Sequence, residues 1–361
     1  MASGTEFRAS ADDLPASLRG ESAAELVLLA AQALRVGSLE QAASVCDAWT
    51  GAPEPALQLT RAAALFGLGE QRPAIELVEQ VLAASPEHLV ALFYLAQMAQ
   101  QTGDPTRATE LLLRVLERFP DFPGAQGALA SMRLPGPPYR AVLRRLHELQ
   151  KPRNYLEIGV ESGATLALAR AAERAVGVDP DQDKLRPELV PPCARVFHTT
   201  SDAFFREHTL ASCFGGKPVD LAFIDGMHWF EYALRDFINV EAWSGPETVV
   251  VLHDCLPVFP LTASRERRTR FWVGDVWKVV SILRQYRPEL RIKIIATAPS
   301  GLCVVRGLVP GSRVLSERFD EIVEAFKEAP YTAPALGAPE GFDLVPATEA
   351  GVAEALGRAL G

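Results

Sequence analysis

Two textures divide the chain. From Ser22 to about Met132 apolar residues recur at helical spacing among Ala, Leu, Glu and Gln, and glycine and proline come only at intervals, which predicts a run of helices. From Asn154 onward the pattern becomes short apolar runs separated by helical ones. Strands are predicted over "NYLEIG", "AVGVD", "ARVFHT", "VDLAFID", "TVVVLH", "LRIKIIA" and "GLCVVRG", with a helix after each of the first five. Such alternation gives a parallel sheet covered on both faces. Only a short "TAPS" turn separates the last two strands, which suits an antiparallel hairpin at the sheet edge.

The helical half repeats. Gly69 and Gly103 are 34 residues apart, and the same offset links Ala74 to Ala108, Leu82 to Leu116, Pro86 to Pro120 and Ala91 to Ala125. An earlier unit with Gly37 and Ala42 sits at an offset of 32. The segment resembles about three tetratricopeptide repeats, the first imperfect. Such an array either presents a concave surface to a peptide or neighbouring subunit, or packs on the following domain or on a second copy.

The turn-rich stretch "LPGPPYR", Leu134 to Arg140, reads as a boundary, and a helix from Arg140 to Leu149 leads into the second half. The expected organisation is a loose arm over 1–21, helical repeats over 22–133, a linker and lead-in helix over 134–150, an α/β domain over 151–310 and a helical extension over 311–361. In that extension helices are expected from Val314 to Lys327 and from Thr348 to Leu360, joined by "EAPYTAPALGAPEG".

Charge narrows the partners. Across 361 residues, 36 basic side chains face 45 acidic ones, a net charge of −9, which argues against a general grip on nucleic acid or an anionic membrane. Cys46, Cys193, Cys213, Cys255 and Cys303 are scattered without zinc or redox spacing and read as reduced thiols of a cytoplasmic protein. The opening "MASGTEFRASADDLP" has acids and no apolar core, so no signal peptide is expected, and no later apolar run approaches a membrane span.

Ligands of open α/β sheets lie at the carboxyl ends of the strands. The first strand ends in Glu157, Gly159, Glu161 and Gly163, before a helix expected near Ala164. Glycine there lets the backbone turn sharply and approach a ligand. Asp179, twenty-two residues after Glu157, ends the second strand, where a carboxylate can accept hydrogen bonds from both ribose hydroxyls. A dinucleotide fold uses the same devices, but a carboxylate at position 161 is unfavourable beside a pyrophosphate. The cationic sulfonium of S-adenosylmethionine (SAM) suffers no such penalty.

The half from Tyr155 to about Gly307 resembles a class I SAM-dependent methyltransferase, a Rossmann-like fold, and most closely the subgroup with "FIDGxH" after the fourth strand and "HD" after the fifth. That resemblance implies that Glu157, Gly159, Gly163 and Asp225 border SAM, that Asp179 holds its ribose, and that Ser201 and Asp202 of "TTSDAFF" lie beside the adenine. Glu161 departs from the pattern, standing where many members carry a further glycine.

Asp225 and His228 follow the fourth strand, and His253 and Asp254 end the fifth, so adjacent strand ends bring four polar side chains into one region. Carboxylates with imidazole suit a divalent cation such as Mg²⁺, held by Asp225, His253 and Asp254. Methyltransferases of catechols and natural-product sugars resemble this arrangement, with an acidic pair after the fifth strand. Here His253 replaces the first acid, which admits Mn²⁺ or another imidazole-tolerant ion. His253 could equally make a structural hydrogen bond. His228, three residues after Asp225, is the candidate general base, with helix capping as its bland alternative.

The loop "PLTASRERRTRFWVGDVWKVV" carries Arg265, Arg267, Arg268 and Arg270, then Trp272 and Asp275. A solvated basic loop is the default reading. Overhanging the acceptor side, Arg265 and Arg268 could instead hold a phosphate or carboxylate, with Trp272 stacking on a ring and Asp275 touching metal or acceptor. The expected activity is SAM-dependent methyl transfer to a hydroxyl of a sugar, glycan precursor or natural-product small molecule. Its rivals are a nucleotide-dependent oxidoreductase and a non-catalytic repeat scaffold.

Overall fold

The structure is a computed structural model that describes residues 21–181, 183–332, 339 and 341–358. The arm expected over the first twenty residues lies outside the described residues, as do parts of the 328–341 connector and of the last helix. The chain divides into two compact units between Ala128 and Leu129.

Among the described residues of the first unit six helices follow one another: α1 (Ala23–Arg35), α2 (Leu39–Asp47), α3 (Pro55–Gly67), α4 (Gln71–Ala84), α5 (Leu89–Gln101) and α6 (Pro105–Arg118). Gly69 and Gly103 turn the chain at φ of 89° and 86°. A Cβ there would meet no neighbour, so it is the left-handed backbone and not crowding that calls for glycine. The repeat-spaced Ala74, Ala91 and Ala108 are fully buried, where their small side chains let helices approach closely. Ser22 and Glu25 form a reciprocal capping box on α1, and Asp104 caps α6. Helix α7 (Ala125–Arg133) spans the division.

The second unit is built on eight strands. They are β1 (Asn154–Ile158), β2 (Arg174–Val178), β3 (Ala194–Phe197), β4 (Val219–Ile224), β5 (Ser244–His253), β6 (Arg291–Ala296), β7 (Leu302–Arg306) and β8 (Leu344–Pro346), in the order β3-β2-β1-β4-β5-β7-β6-β8. The first five run parallel, and β7 lies antiparallel to both β5 and β6. Helices are α8 (Tyr139–Gln150), α9 (Ser201–Glu207), α10 (Leu210–Phe214), α11 (Phe230–Ala242), α12 (Trp277–Tyr286), α13 (Val314–Glu317), α14 (Phe319–Phe326) and α15 (Glu349–Ala355). Alternate residues of β4 enter cores on opposite faces: Ala222 and Ile224 pack with the apolar stripes of α11 and α12, Leu221 and Phe223 with α8.

Four expectations change. After β1 there is no α-helix but a kinked 3₁₀ segment, Leu166–Ala171, because the backbone leaves helical angles at Ala169. Among the described residues between β2 and β3 only Pro187–Leu189 is helical, since Pro180, Pro187, Pro191 and Pro192 interrupt the segment. The antiparallel hairpin is present, but the C-terminal segment adds β8 outside it, parallel to β6, where only helices were expected. The helix predicted over 314–327 is broken into α13 and α14 at Arg318. Among the described residues no helix is long and apolar enough to cross a membrane.

The register positions the site. Ile158 pairs with Ile224, and Ile224 with Leu252, so Gly159, Asp225 and His253 emerge next to one another at the carboxyl edge.

Candidate active site

Close approach of backbones shapes the first loop. Gly159 has φ of 87°, and a Cβ there would run into the carbonyl of Asp225. The loop is tied down by Asp179, whose Oδ2 accepts from the amides of Val160 (2.8 Å) and Glu161 (2.7 Å), while Oδ1 accepts from Asp181 (2.8 Å). Glu161, in left-handed backbone at φ of 47°, turns its carboxylate out to solvent and pairs with Lys184 at 3.2 Å. Its charge therefore stays off the cradle floor. Gly163, also left-handed, faces Leu185 and Leu189.

Glu157 is fully buried. Its carboxyl accepts from Tyr155 Oη (2.6 Å) and Thr165 Oγ1 (2.7 Å), bracing the loop from beneath. Burial pushes its pKa up to about 8 against these donors. Ser201 opens α9, and the pKa of the buried Asp236 of α11 is raised by its burial to about 7. Asp202 forms a two-point pair with Arg235, at 3.0 and 2.8 Å.

Asp225, His253 and Asp254 converge: one donor atom from each lies within 4.8 Å of the others. His253 Nδ1 is 3.1 Å from Asp225 Oδ1 and 3.3 Å from Asp254 Oδ1. Burial opposes a charge on His253, but the two carboxylates outweigh it and lift its pKa to about 9. Asp254, raised by its own burial, sits in left-handed backbone at φ of 60°, a strained conformation for a non-glycine residue. One imidazole nitrogen and two carboxylates, with Asp225 partly open to solvent, form a donor set that fits a divalent cation.

His228 completes the cluster. Its Nδ1 is 2.9 Å from the carbonyl oxygen of Trp272 and 3.3 Å from Asp254 Oδ2, and its Nε2 is 4.0 Å from Asp225 Oδ1. The Trp272 indole stacks on the imidazole at 21°. Gly274 (φ 61°) lets the chain pass against the His228 carbonyl, and the Asp275 amide donates to that carbonyl at 3.1 Å.

The basic loop has other partners than a ligand. Arg265 grips Glu231 with two nitrogens and reaches Asp275 Oδ2 at 3.3 Å, while Arg268 pairs with Glu266 on the surface. Asp275 is buried and accepts from the Phe230 amide (2.9 Å) and Lys278 Nζ (3.0 Å), so its carboxylate braces the start of α11 and does not face the cluster. Carboxylates within the loop's reach neutralise the guanidinium groups expected to hold an anion.

Two site residues escaped the sequence reading. Tyr139 packs against His253 with 4.3 Å between ring centroids and the rings tilted by 32°, and Ser300 donates to Asp254 Oδ1 at 2.5 Å. They come from the linker and the "TAPS" turn, whose joining is visible only in three dimensions: Tyr139 N donates to Ala298 O, and Thr297 Oγ1 to Pro137 O.

Residues 156–255 match the family described as a methyltransferase domain. The chain carries a methyltransferase domain. Residues 65–132 match the tetratricopeptide repeat family, in agreement with the 34-residue period. Similar solved structures include the O-methyltransferase from Bacillus cereus in complex with SAH, at 17% identity over 60% of this chain and 98% of that one, TM-score 0.38. Another is the O-methyltransferase TomG from Streptomyces achromogenes, involved in tomaymycin synthesis and bound to SAM, at 18% identity over 55% and 88%, TM-score 0.38. The SAH-bound methyltransferase PaMTH1 of Podospora anserina matches at 12% identity over 55% and 86%, TM-score 0.36. No curated protein matches this chain. The methyltransferase match runs from within β1 to just past the His253–Asp254 pair, so the strand ends carrying Gly159, Asp225 and His253 lie inside it.

Proposed function

We propose that this chain is a SAM-dependent O-methyltransferase acting on a hydroxyl of a sugar, glycan precursor or natural-product small molecule. The observation that carries the reading is the convergence of Asp225, His253 and Asp254 beside His228, one strand over from the glycine cradle. In this reading Gly159 and Gly163 give SAM its close approach, and Asp179 reaches the ribose with the side of Oδ1 not used by Asp181. Ser201 and Asp202 lie toward the adenine. Glu157 supports the loop from below.

Asp225, His253 and Asp254 would hold Mg²⁺ or Mn²⁺. SAM supplies an electrophilic methyl group, and a bound cation lowers the pKa of an acceptor hydroxyl. The chain's own part is proton handling. A carbonyl oxygen only accepts, so Trp272 keeps the proton of His228 on Nδ1 and leaves Nε2 as the lone pair that takes the acceptor's proton. Asp254 Oδ2 beside the same Nδ1 stabilises the imidazolium that results. Tyr139 packs against His253 and Trp272 stacks on His228.

The repeats are assigned to a protein partner or to self-association. The five free thiols suit a cytoplasmic setting. Calorimetric titration with SAM, S-adenosylhomocysteine and NADH, in Mg²⁺ and in EDTA, tests the reading. Micromolar binding of the first two and none of NADH is expected, followed by turnover on hydroxylated acceptors that EDTA abolishes. NADH binding without SAM binding would turn the assignment to an oxidoreductase.

A further inference from the structure

The acceptor's charge is written in the partners of the arginines. An anionic acceptor nearing Asp225 and Asp254 needs a cation to offset repulsion. Arg265 and Arg268 are tied to carboxylates, and Arg267 bonds the carbonyl oxygens of Thr269 and Arg270. Arg140 differs. It is exposed, adjoins the Tyr139 ring that packs against His253, and its Nε donates to the Tyr139 hydroxyl at 3.2 Å. Its Cζ lies 5.6 Å from that ring's centroid. Among the described residues no carboxylate pairs with it, so four of the five guanidinium donors remain for a ligand.

We propose that Arg140, held against Tyr139 beside the Asp225–His253–Asp254 cluster, recognises a carboxylate or phosphate on the acceptor and makes the substrate an anionic hydroxyl compound. The inference rests on the methyl-transfer reading for the meaning of "acceptor", but the binding it describes can be measured without turnover. Tyr139 links the two, since its ring packs against His253 with 4.3 Å between centroids and its hydroxyl accepts from Arg140 Nε. A guanidinium beside a flat aromatic wall suits a ring bearing an oxyanion, bonded in the two-point manner that lysine cannot reproduce.

The test uses the full chain saturated with S-adenosylhomocysteine and Mg²⁺. It is titrated with two matched probe pairs, 3,4-dihydroxybenzoate against its methyl ester and glucose 6-phosphate against glucose. In at least one pair the anion should bind about tenfold or more tighter. Arg140→Gln should erase that preference and Arg140→Lys restore part of it, with S-adenosylhomocysteine affinity and melting temperature unchanged in both. Equal binding within both pairs, no binding of any probe, or a preference that survives Arg140→Gln would overturn the proposal. Turnover is read separately. A chain that prefers the anion through Arg140 yet methylates nothing keeps this inference and loses the methyl-transfer reading. Turnover of neutral and anionic probes alike, without preference, does the reverse.

Discussion

The His228 imidazole lies flat against the Trp272 indole, 5.4 Å between centroids, while Nδ1 points at the same tryptophan's carbonyl oxygen at 2.9 Å. One residue thus sets both the plane and the tautomer of the ring. If His228 is the base, His228→Gln should lower kcat by about 10²–10⁴ and leave S-adenosylhomocysteine affinity within about twofold, checked by single-turnover kinetics and calorimetry. Trp272→Phe keeps the carbonyl and a stacking face, so its loss should be much smaller.

Asp225 bonds His253 and is the most exposed of the three donors Asp225, His253 and Asp254. Asp225→Asn keeps the shape but removes a charged oxygen donor. Mg²⁺ affinity should fall by about 10-fold or more and turnover with it, by analogy with the cost of altering groups around metal ligands. Retained, EDTA-resistant turnover would remove the cation from the mechanism.

Protons and cation compete at His253. Its pKa near 9 means the imidazole is protonated at neutral pH and must release that proton to ligate. Cation affinity should therefore rise about tenfold per pH unit up to about pH 9. Calorimetry in buffers of different ionisation enthalpy should show close to one proton released per ion at pH 7. For folding the sign runs the other way: the raised pKa contributes stability that is fully present below pH 6.5 and lost as pH rises through 9.

Gly274 lies where the basic loop crosses the His228 carbonyl, and its φ of 61° is one that L side chains rarely adopt. Gly274→Ala should displace His228, lowering kcat strongly while S-adenosylhomocysteine still binds. Stability should fall by roughly 1–3 kcal/mol, measured by urea unfolding.

Burial raises the Glu157 pKa from 4.5 to about 8, so the native state holds a proton that the unfolded chain releases between those values. Stability should fall as pH rises from 4.5 to 8, by an amount on the order of 5 kcal/mol. Glu157→Gln should flatten that slope, which a series of denaturant titrations at different pH would detect.

Much of this was readable in one dimension. The 34-residue period required only that each helix pair repeat its small contact residues, and the family match over 65–132 agrees with it. Parallel strands buried on both faces appear as apolar runs, and the residues just after each run must lie at a strand end. That placed Asp225, His228, His253 and Asp254 together before any distance was known. Helix content between β1 and β3 was less legible, because composition favours helix after β1 while the backbone leaves helical angles at Ala169.

By itself the sequence determined which polar residues stand at the strand ends, since chain order alone sets the residues that follow each apolar run. Tertiary structure alone decided the partners. Arg265 and Arg268 look like an anion clamp in a linear reading, yet Glu231 and Glu266 take them, because ion pairing depends on distances through space. Tyr139 and Ser300 look like linker and turn, yet one covers His253 and the other bonds Asp254. Residues 161 apart in the chain meet there because Tyr139 N bonds the carbonyl of Ala298 and Ser300 lies two positions on, a closure that no local pattern encodes.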